Sequence, residues 1–252
     1  MRIRILDLVP VIETKGIAGA IEDRKKLGKI LDEKTEGLIR LEVACIDKGT
    51  ASIESNYDEA LNVPYILRKV KWAEENDYDA VVLDCFGDPG LDAARELVEI
   101  PVIGANQAAI HMASQLAGRF SVINILPETE HLIRSLIMKY GLIQNLASIR
   151  TIHIPVLELE SNPELTVEKA VKAAEKAVLE DGAYSVVLGC TGMSPLVDAI
   201  KTHFTELGVH VPIIEPLRAA IYTAAAVVLS GLSHSKVAFM SPRNKFRKIE
   251  EF

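Results

Sequence analysis

One segment of this chain occurs twice. Val81-Val82-Leu83, Cys85 and Gly87 return, in the same spacing, as Val186-Val187-Leu188, Cys190 and Gly192. Two further matches flank it in the same order. Residues 2–10 (RIRILDLVP) align with 119–127 (RFSVINILP), so that Asp7 meets Asn124 and Pro10 meets Pro127. Residues 100–103 (IPVI) align with 211–214 (VPII), and Leu91 and Ala94 with Leu196 and Ala199. Three matches in register, with a cysteine in one of them, identify a duplicated unit rather than the generic look of a buried strand. Two similar halves packed about a pseudo-twofold axis bring equivalent strand ends to one cleft.

Each unit reads as strand–helix alternation. Aliphatic and β-branched runs at 2–10, 38–46, 80–83 and 101–103 predict strands. Ala60, Leu61, Ile66, Val70 and Ala73 fall near one face of a helix over 58–76, and a second helix over 92–98 follows the turn signal Gly87-Asp88-Pro89-Gly90. The apolar segment 219–229 reads as a buried helix. This alternation predicts an α/β protein with parallel sheets covered by helices. The expected division is a first half over 1–103, completed by 216–252, and a second half over 104–215.

Composition narrows the function. Hydrophobic residues make up 49% of the 252, enough to build a core and to exclude global disorder. With 28 basic and 35 acidic residues the formal charge is −7, which argues against non-specific binding to nucleic acid or to an anionic membrane. No apolar run approaches the roughly 18 residues of a membrane span. Asp7 and Glu13 break any signal-peptide core. Three cysteines without a leader are expected to be free thiols in a reducing compartment, the cytoplasm.

Cys85 and Cys190 each end a buried strand, where open α/β sheets bind ligands. A following helix N-terminus favours a thiolate, and is expected to bring each thiol closer to neutrality. A pair of thiols across one cleft, one ionised and one protonated, can remove a proton from one face of a carbon acid and return one to the other. Neighbouring backbone N–H groups can stabilise the charge on an adjacent carbonyl oxygen. The reaction class this suggests is inversion at a carbon next to a carbonyl. Cys45 has no counterpart in the second half and is expected to serve core packing.

These segments resemble the aspartate/glutamate/hydantoin racemase superfamily, and within it the hydantoin and allantoin racemases. The resemblance rests on Cys85-Phe86-Gly87-Asp88-Pro89-Gly90-Leu91, on Gly189-Cys190-Thr191-Gly192-Met193, and on Ser52-Ile53-Glu54 after Gly49. It implies two Rossmann-like halves, an active site between them, a homo-oligomer, and no cofactor or metal. It places the catalytic pair on Cys85 and Cys190, with substrate contacts at Phe86, Gly87, Thr191 and Gly192. The family's first strand ends in Asn-Pro-Asn-Thr, whereas this chain has Val9-Pro10-Val11-Ile12 followed by Glu13 and Thr14. Pro10 and Val11 occupy the corresponding binding positions. In the second half Thr129 is either a substrate contact or an N-cap before the helix at 131–140.

The substrate expected is a small molecule, a 5-substituted hydantoin or allantoin. Alternatives are an aspartate/glutamate-type racemase, a decarboxylase or cis–trans isomerase of the same superfamily, a non-catalytic binding protein, and a redox switch. Zinc-site, phosphate-loop, nucleophile-elbow and dinucleotide signatures are absent from the sequence. The Lys/Glu-rich helix over 167–179 reads as a solvated face, and the segment 235–252 as either a subunit contact or a frayed end.

Overall fold

A computed structural model describes residues 2–247 as two four-stranded parallel sheets with helices around them. The first sheet contains β1 (Ile3–Val9), β2 (Ile39–Cys45), β3 (Ala80–Leu83) and β4 (Val102–Gly104), in the spatial order β2-β1-β3-β4. The second contains β5 (Phe120–Asn124), β6 (Leu146–Thr151), β7 (Ser185–Leu188) and β8 (Ile213–Ile214), in the order β6-β5-β7-β8. Each strand thus has a counterpart at the same place in the other sheet, and the repeat in sequence is a repeat of the fold. All pairings are parallel. The central strands β3 and β7 are buried throughout, as a parallel sheet covered on both faces requires.

The helices are α1 (Ala18–Lys34), α2 (Asn56–Glu75), α3 (Leu91–Leu97), α4 (Ala105–Ala117), α5 (Glu130–Lys139), α6 (Pro163–Leu179), α7 (Val197–Glu206) and α8 (Pro216–Leu229). Ser55 caps α2, its hydroxyl oxygen accepting the Asp58 N–H at 3.1 Å. The Lys/Glu-rich helix α6 turns Ala170, Ala173, Ala174 and Ala177 inward and its charges outward. Among the elements that escape the sequence pattern are α1, α4 and β6. The buried face of α1 mixes Ile21, Leu27 and Leu31 with Arg24 and Gly28, which blurs its apolar stripe. Strand β6 is half-buried along its length, so it lacks the apolar run of the central strands.

Helices α4 and α8 pack on each other and join the halves. Helix α8 lies on β1, β3 and β4, whereas α4 also reaches β5 and β7. One continuous core results, running from Ile3, Ile5 and Val82 through Ile110, Ile221 and Ala224 to Phe120, Val122 and Val187. After α8 the chain returns over the first half. His234 Nε2 lies 2.8 Å from the N–H of Val102, Lys236 Nζ donates to Val98 O at 2.6 Å, and Phe239 stacks against Arg95. Segment 235–247 therefore begins as an intramolecular strap; Phe252 lies outside the described residues. Among the described residues, no helix is long and apolar enough to cross a membrane.

Ile110 is fully buried at the junction of the two sheets. Its replacement by alanine is expected to lower unfolding stability by about 2–5 kcal/mol, read from urea denaturation followed by circular dichroism.

Candidate active site

The chain leaves β3 and β7 through two matching turns. In the first, the Gly87 N–H donates to Cys85 Sγ at 3.4 Å; in the second, the Gly192 N–H donates to Cys190 Sγ at 3.4 Å. From the sequence, such N–H groups are expected to face a substrate oxygen. Here those of the two glycines are directed at sulfur. Both cysteines are half-buried on the walls of a single cleft of about 470 Å³, within the usual range for a small-molecule site. Val9, Pro10, Val11, Phe86, Gly87, Thr129, Thr191 and Gly192 line the same cleft. The sequence-predicted site is thus gathered in one place.

Several of these residues also build the walls. The Pro10 carbonyl accepts from Asn62 Nδ2 at 2.9 Å, and the Phe86 carbonyl from Asn106 Nδ2 at 3.0 Å. The Thr191 hydroxyl donates across the cleft floor to Asp84 O at 3.3 Å, joining the two halves directly beneath the thiols. Glu54 adds a second tie, its Oε1 accepting the Val156 N–H at 2.7 Å. Thr129 precedes α5, but its side chain does not cap that helix. Its Oγ1 lies 2.8 Å from Asn124 Oδ1 and 2.9 Å from Leu126 O. Glu13 and Thr14, which follow the altered first-strand motif, do not line the cleft. Cys45 packs beside Val43 and Ile53 against Val9, Val11, Ile17 and Ile21, outside the cleft lining.

The thiol environment corrects one expectation. No α-helix begins at Cys85, because a turn intervenes and α3 starts only at Leu91. Cys190 precedes a 3-10 turn over Thr191–Leu196. Desolvation by the surrounding protein therefore dominates. Burial pushes the Cys190 thiol up to about 11, partly opposed by the Gly192 N–H and by Arg24. Burial pushes Cys85 up further, with only the Gly87 N–H opposing. Neither thiol is drawn toward neutrality in the free protein.

Beside the cysteines lies a group of charged residues that no sequence motif announced. Arg24 of α1 reaches the cleft wall, and its Nε and Nη2 hold both carboxylate oxygens of Asp84 in a bidentate pair. Asp7 is fully buried on β1, and neither of its oxygens has a hydrogen-bond partner. Burial first, and then the nearby Asp84 charge, raise its carboxyl well above the ordinary range, so the neutral acid is favoured. A signal for both residues was present. Arg24 stands on the stripe Ile17, Ile21, Gly28, Leu31, and Asp7 interrupts the run RILDLV, and a charge placed on an apolar face calls for a partner or a role.

Asp88 holds the Cys85 turn. It adopts φ 45°, and its carboxylate accepts the N–H groups of Asn106 and Gln107 at the start of α4, each at 3.0 Å, and the Tyr140 hydroxyl at 2.8 Å. Gly104 has to be glycine here, because a Cβ would come within 2.5 Å of the Asp88 carboxylate.

The architecture defines a class: a duplicated α/β protein with one cysteine from each half on the walls of a shared cleft. The Asp/Glu/Hydantoin racemase family model matches residues 25–224. A hydantoin racemase of Paenarthrobacter aurescens is 41% identical over 200 residues, covering 79% of this chain and 83% of the relative. One of Pseudomonas sp. (strain NS671) is 40% identical over 189 residues, covering 75% and 74%. Among solved structures, an allantoin racemase from Klebsiella pneumoniae superposes with a TM-score of 0.86 at 33% identity, covering 98% of this chain and 97% of that one. The chain belongs to the Asp/Glu/hydantoin racemase family and is an isomerase of the racemase class.

Burial raises the Asp88 carboxyl from 3.8 to about 6, against the pull of Tyr140 and the α4 N–H groups. The folded state therefore holds this proton more tightly than the unfolded chain, and the Asp88 contribution to stability falls as pH rises from about 4 to about 6. The two-unit shift corresponds to about 3 kcal/mol. Urea midpoints across that window are expected to fall less steeply for Asp88→Asn than for the natural sequence.

Proposed function

We propose that this protein racemises 5-substituted hydantoins, with Cys85 and Cys190 as the acid–base pair on opposite faces of the ring. One thiolate takes the proton from carbon 5. The electron pair moves into the bond toward the neighbouring carbonyl, leaving negative charge on its oxygen. The opposite thiol then delivers its proton to the other face of carbon 5. The product is the mirror image, and the two sulfurs have exchanged protonation states, so the reverse reaction runs by the same steps. The observation that carries this reading is the pairing of duplicated thiol turns on one cleft. A thiolate raised by desolvation is also a stronger base than one in water, as a weak carbon acid demands.

The cleft walls support the choice among ureides. Where the resemblance leads one to expect asparagines around Pro10, this chain presents Val9 and Val11, and Ile17, Ile21, Leu132 and Leu136 add to the same lining. An alkyl or aryl substituent at carbon 5 buries against such a surface, whose side chains offer no hydrogen-bond partner to a ureido group. Allantoin nonetheless stays in the test because of the likeness to an allantoin racemase.

The test is exchange in heavy water, with proton NMR for loss of the carbon-5 hydrogen and chiral chromatography for inversion. Substrates are the separate enantiomers of 5-benzyl- and 5-isobutylhydantoin, allantoin, aspartate and glutamate, each with a control lacking both thiols. Catalysed inversion is expected for the apolar hydantoins above all. Cys85→Ser and Cys190→Ser are each expected to reduce inversion by about a hundredfold or more, because a hydroxyl is a far poorer base. Substantial turnover in both variants sinks the two-thiol mechanism. Because burial holds the Cys190 thiol at about 11, the active ionised form grows with pH, and kcat/KM is expected to climb from neutral pH into the alkaline range.

A further inference from the structure

A two-thiol inversion needs its thiols unlike at rest, one ionised and one protonated, yet the duplicated turns are alike. Comparing the halves position by position locates what separates them. Helices α1 and α5 enter the cleft at equivalent turns: Ala20, Ile21 and Arg24 line it from one, and Leu132, Ile133 and Leu136 from the other. Counted from each helix start, Arg24 has Leu136 as its counterpart. On the strands, Asp7 meets Asn124 and Asp84 meets Gly189. Gly189 admits no side chain at all, since a Cβ would lie 2.7 Å from the Ile123 carbonyl oxygen. Asp7, Arg24 and Asp84 all belong to the first half, and none has a charged counterpart in the second.

We propose that Arg24, held in place by Asp84 on the wall of the cleft, is a positioning residue that makes Cys190 the first thiol of the pair to ionise and leaves Cys85 as the protonated partner. This rests on the two-thiol reading above. The charged groups acting on Cys190 are Arg24 from α1, Asp84 after β3 and Glu54 from the loop after β2, and Arg24 alone favours ionisation. Those acting on Cys85 are Cys190, Asp88 and Asp84, and all of them oppose it. Asp7 beside the pair favours its neutral form, so it adds little negative charge to offset Arg24. Glu215 borders the same group; burial raises its carboxyl too, while the Leu217 and Arg218 N–H groups hold it at the start of α8. Environments that push two titrating groups apart assign the resting acid and the resting base. The singly ionised enzyme is then set for the enantiomer that presents its hydrogen to Cys190.

Turnover ratios do not expose this asymmetry. Racemisation has an equilibrium constant of one, so kcat/KM is equal for the two enantiomers whatever the resting state. Thiol reactivity does expose it, because only the thiolate is alkylated. The full-length enzyme is pulsed briefly with iodoacetamide from about pH 7 to about pH 12, a range that takes in the Cys190 thiol, and each cysteine is quantified by peptide mass spectrometry. The Cys190 midpoint is expected at least about one pH unit below that of Cys85, a tenfold preference below both midpoints. Arg24→Gln is expected to erase the gap, and Arg24→Lys to retain most of it.

A Cys85 midpoint at or below that of Cys190, or an unchanged gap in folded Arg24→Gln, overturns the proposal. If Arg24→Gln does not fold because Asp84 is left unpaired, the double variant Arg24→Gln/Asp84→Asn, which removes both charges together, decides instead. It is expected to erase the gap between the two midpoints, and an unchanged gap overturns the proposal. The serine variants separate the two readings: inactive serine variants without a midpoint gap reject the role of Arg24 alone, whereas active ones reject the two-thiol reading itself.

Discussion

The close packing of α4 on α8 is the constraint on which the rest of the molecule depends. Both helices are rich in alanine on their buried faces: Ala105, Ala108, Ala109 and Ala113 on one, Ala219, Ala220, Ala224 and Ala225 on the other. Small side chains let two helix backbones approach closely, and the sheets on either side then share one core. With the sheets held at that separation, the carboxyl ends of β3 and β7 reach the same cleft. Larger side chains at this contact would spread the sheets and part the thiols.

The site built there works against its own solvation. Desolvation raises Cys85, Cys190, Asp7 and Glu215 together, each toward its neutral form. A protein interior resists uncompensated charge, and beside the thiols the compensation comes from the guanidinium of Arg24 in its bidentate pair with Asp84. Asp88, with backbone N–H groups, the Tyr140 hydroxyl and the charge of Arg95 around it, fixes the Cys85 turn. Apolar walls complete the setting, so that a ring entering the cleft displaces water from the thiols and strengthens every remaining interaction.

Much of this was legible beforehand. The duplication predicted two sheets of equal strand order, and the strands at 2–10, 38–46, 80–83 and 101–103 were found within a residue or two. Cys85, Cys190 and their glycines line one cleft. Helix α1 was not legible, because Arg24 and Gly28 occupy positions where a sequence pattern looks for apolar residues. Their reasons are tertiary: Arg24 answers Asp84, which lies far along the chain, and Gly28 lets α1 approach Leu41 of β2. The expected drop in thiol pKa failed for a related reason. Position at a strand end is written in the sequence, but the depth of protein behind each sulfur is not.

The sequence by itself determined the repeat, the parallel strands and the two cysteine turns, because these follow from local patterns of apolar residues and glycine spacing. Only the tertiary structure decided how the halves differ. Asp7 against Asn124, Arg24 against Leu136, and Asp84 against Gly189 are isolated exchanges along the chain, without periodicity to announce them. Folding stacks all three beneath one cleft, where low polarisability around buried charges turns them into one asymmetric field.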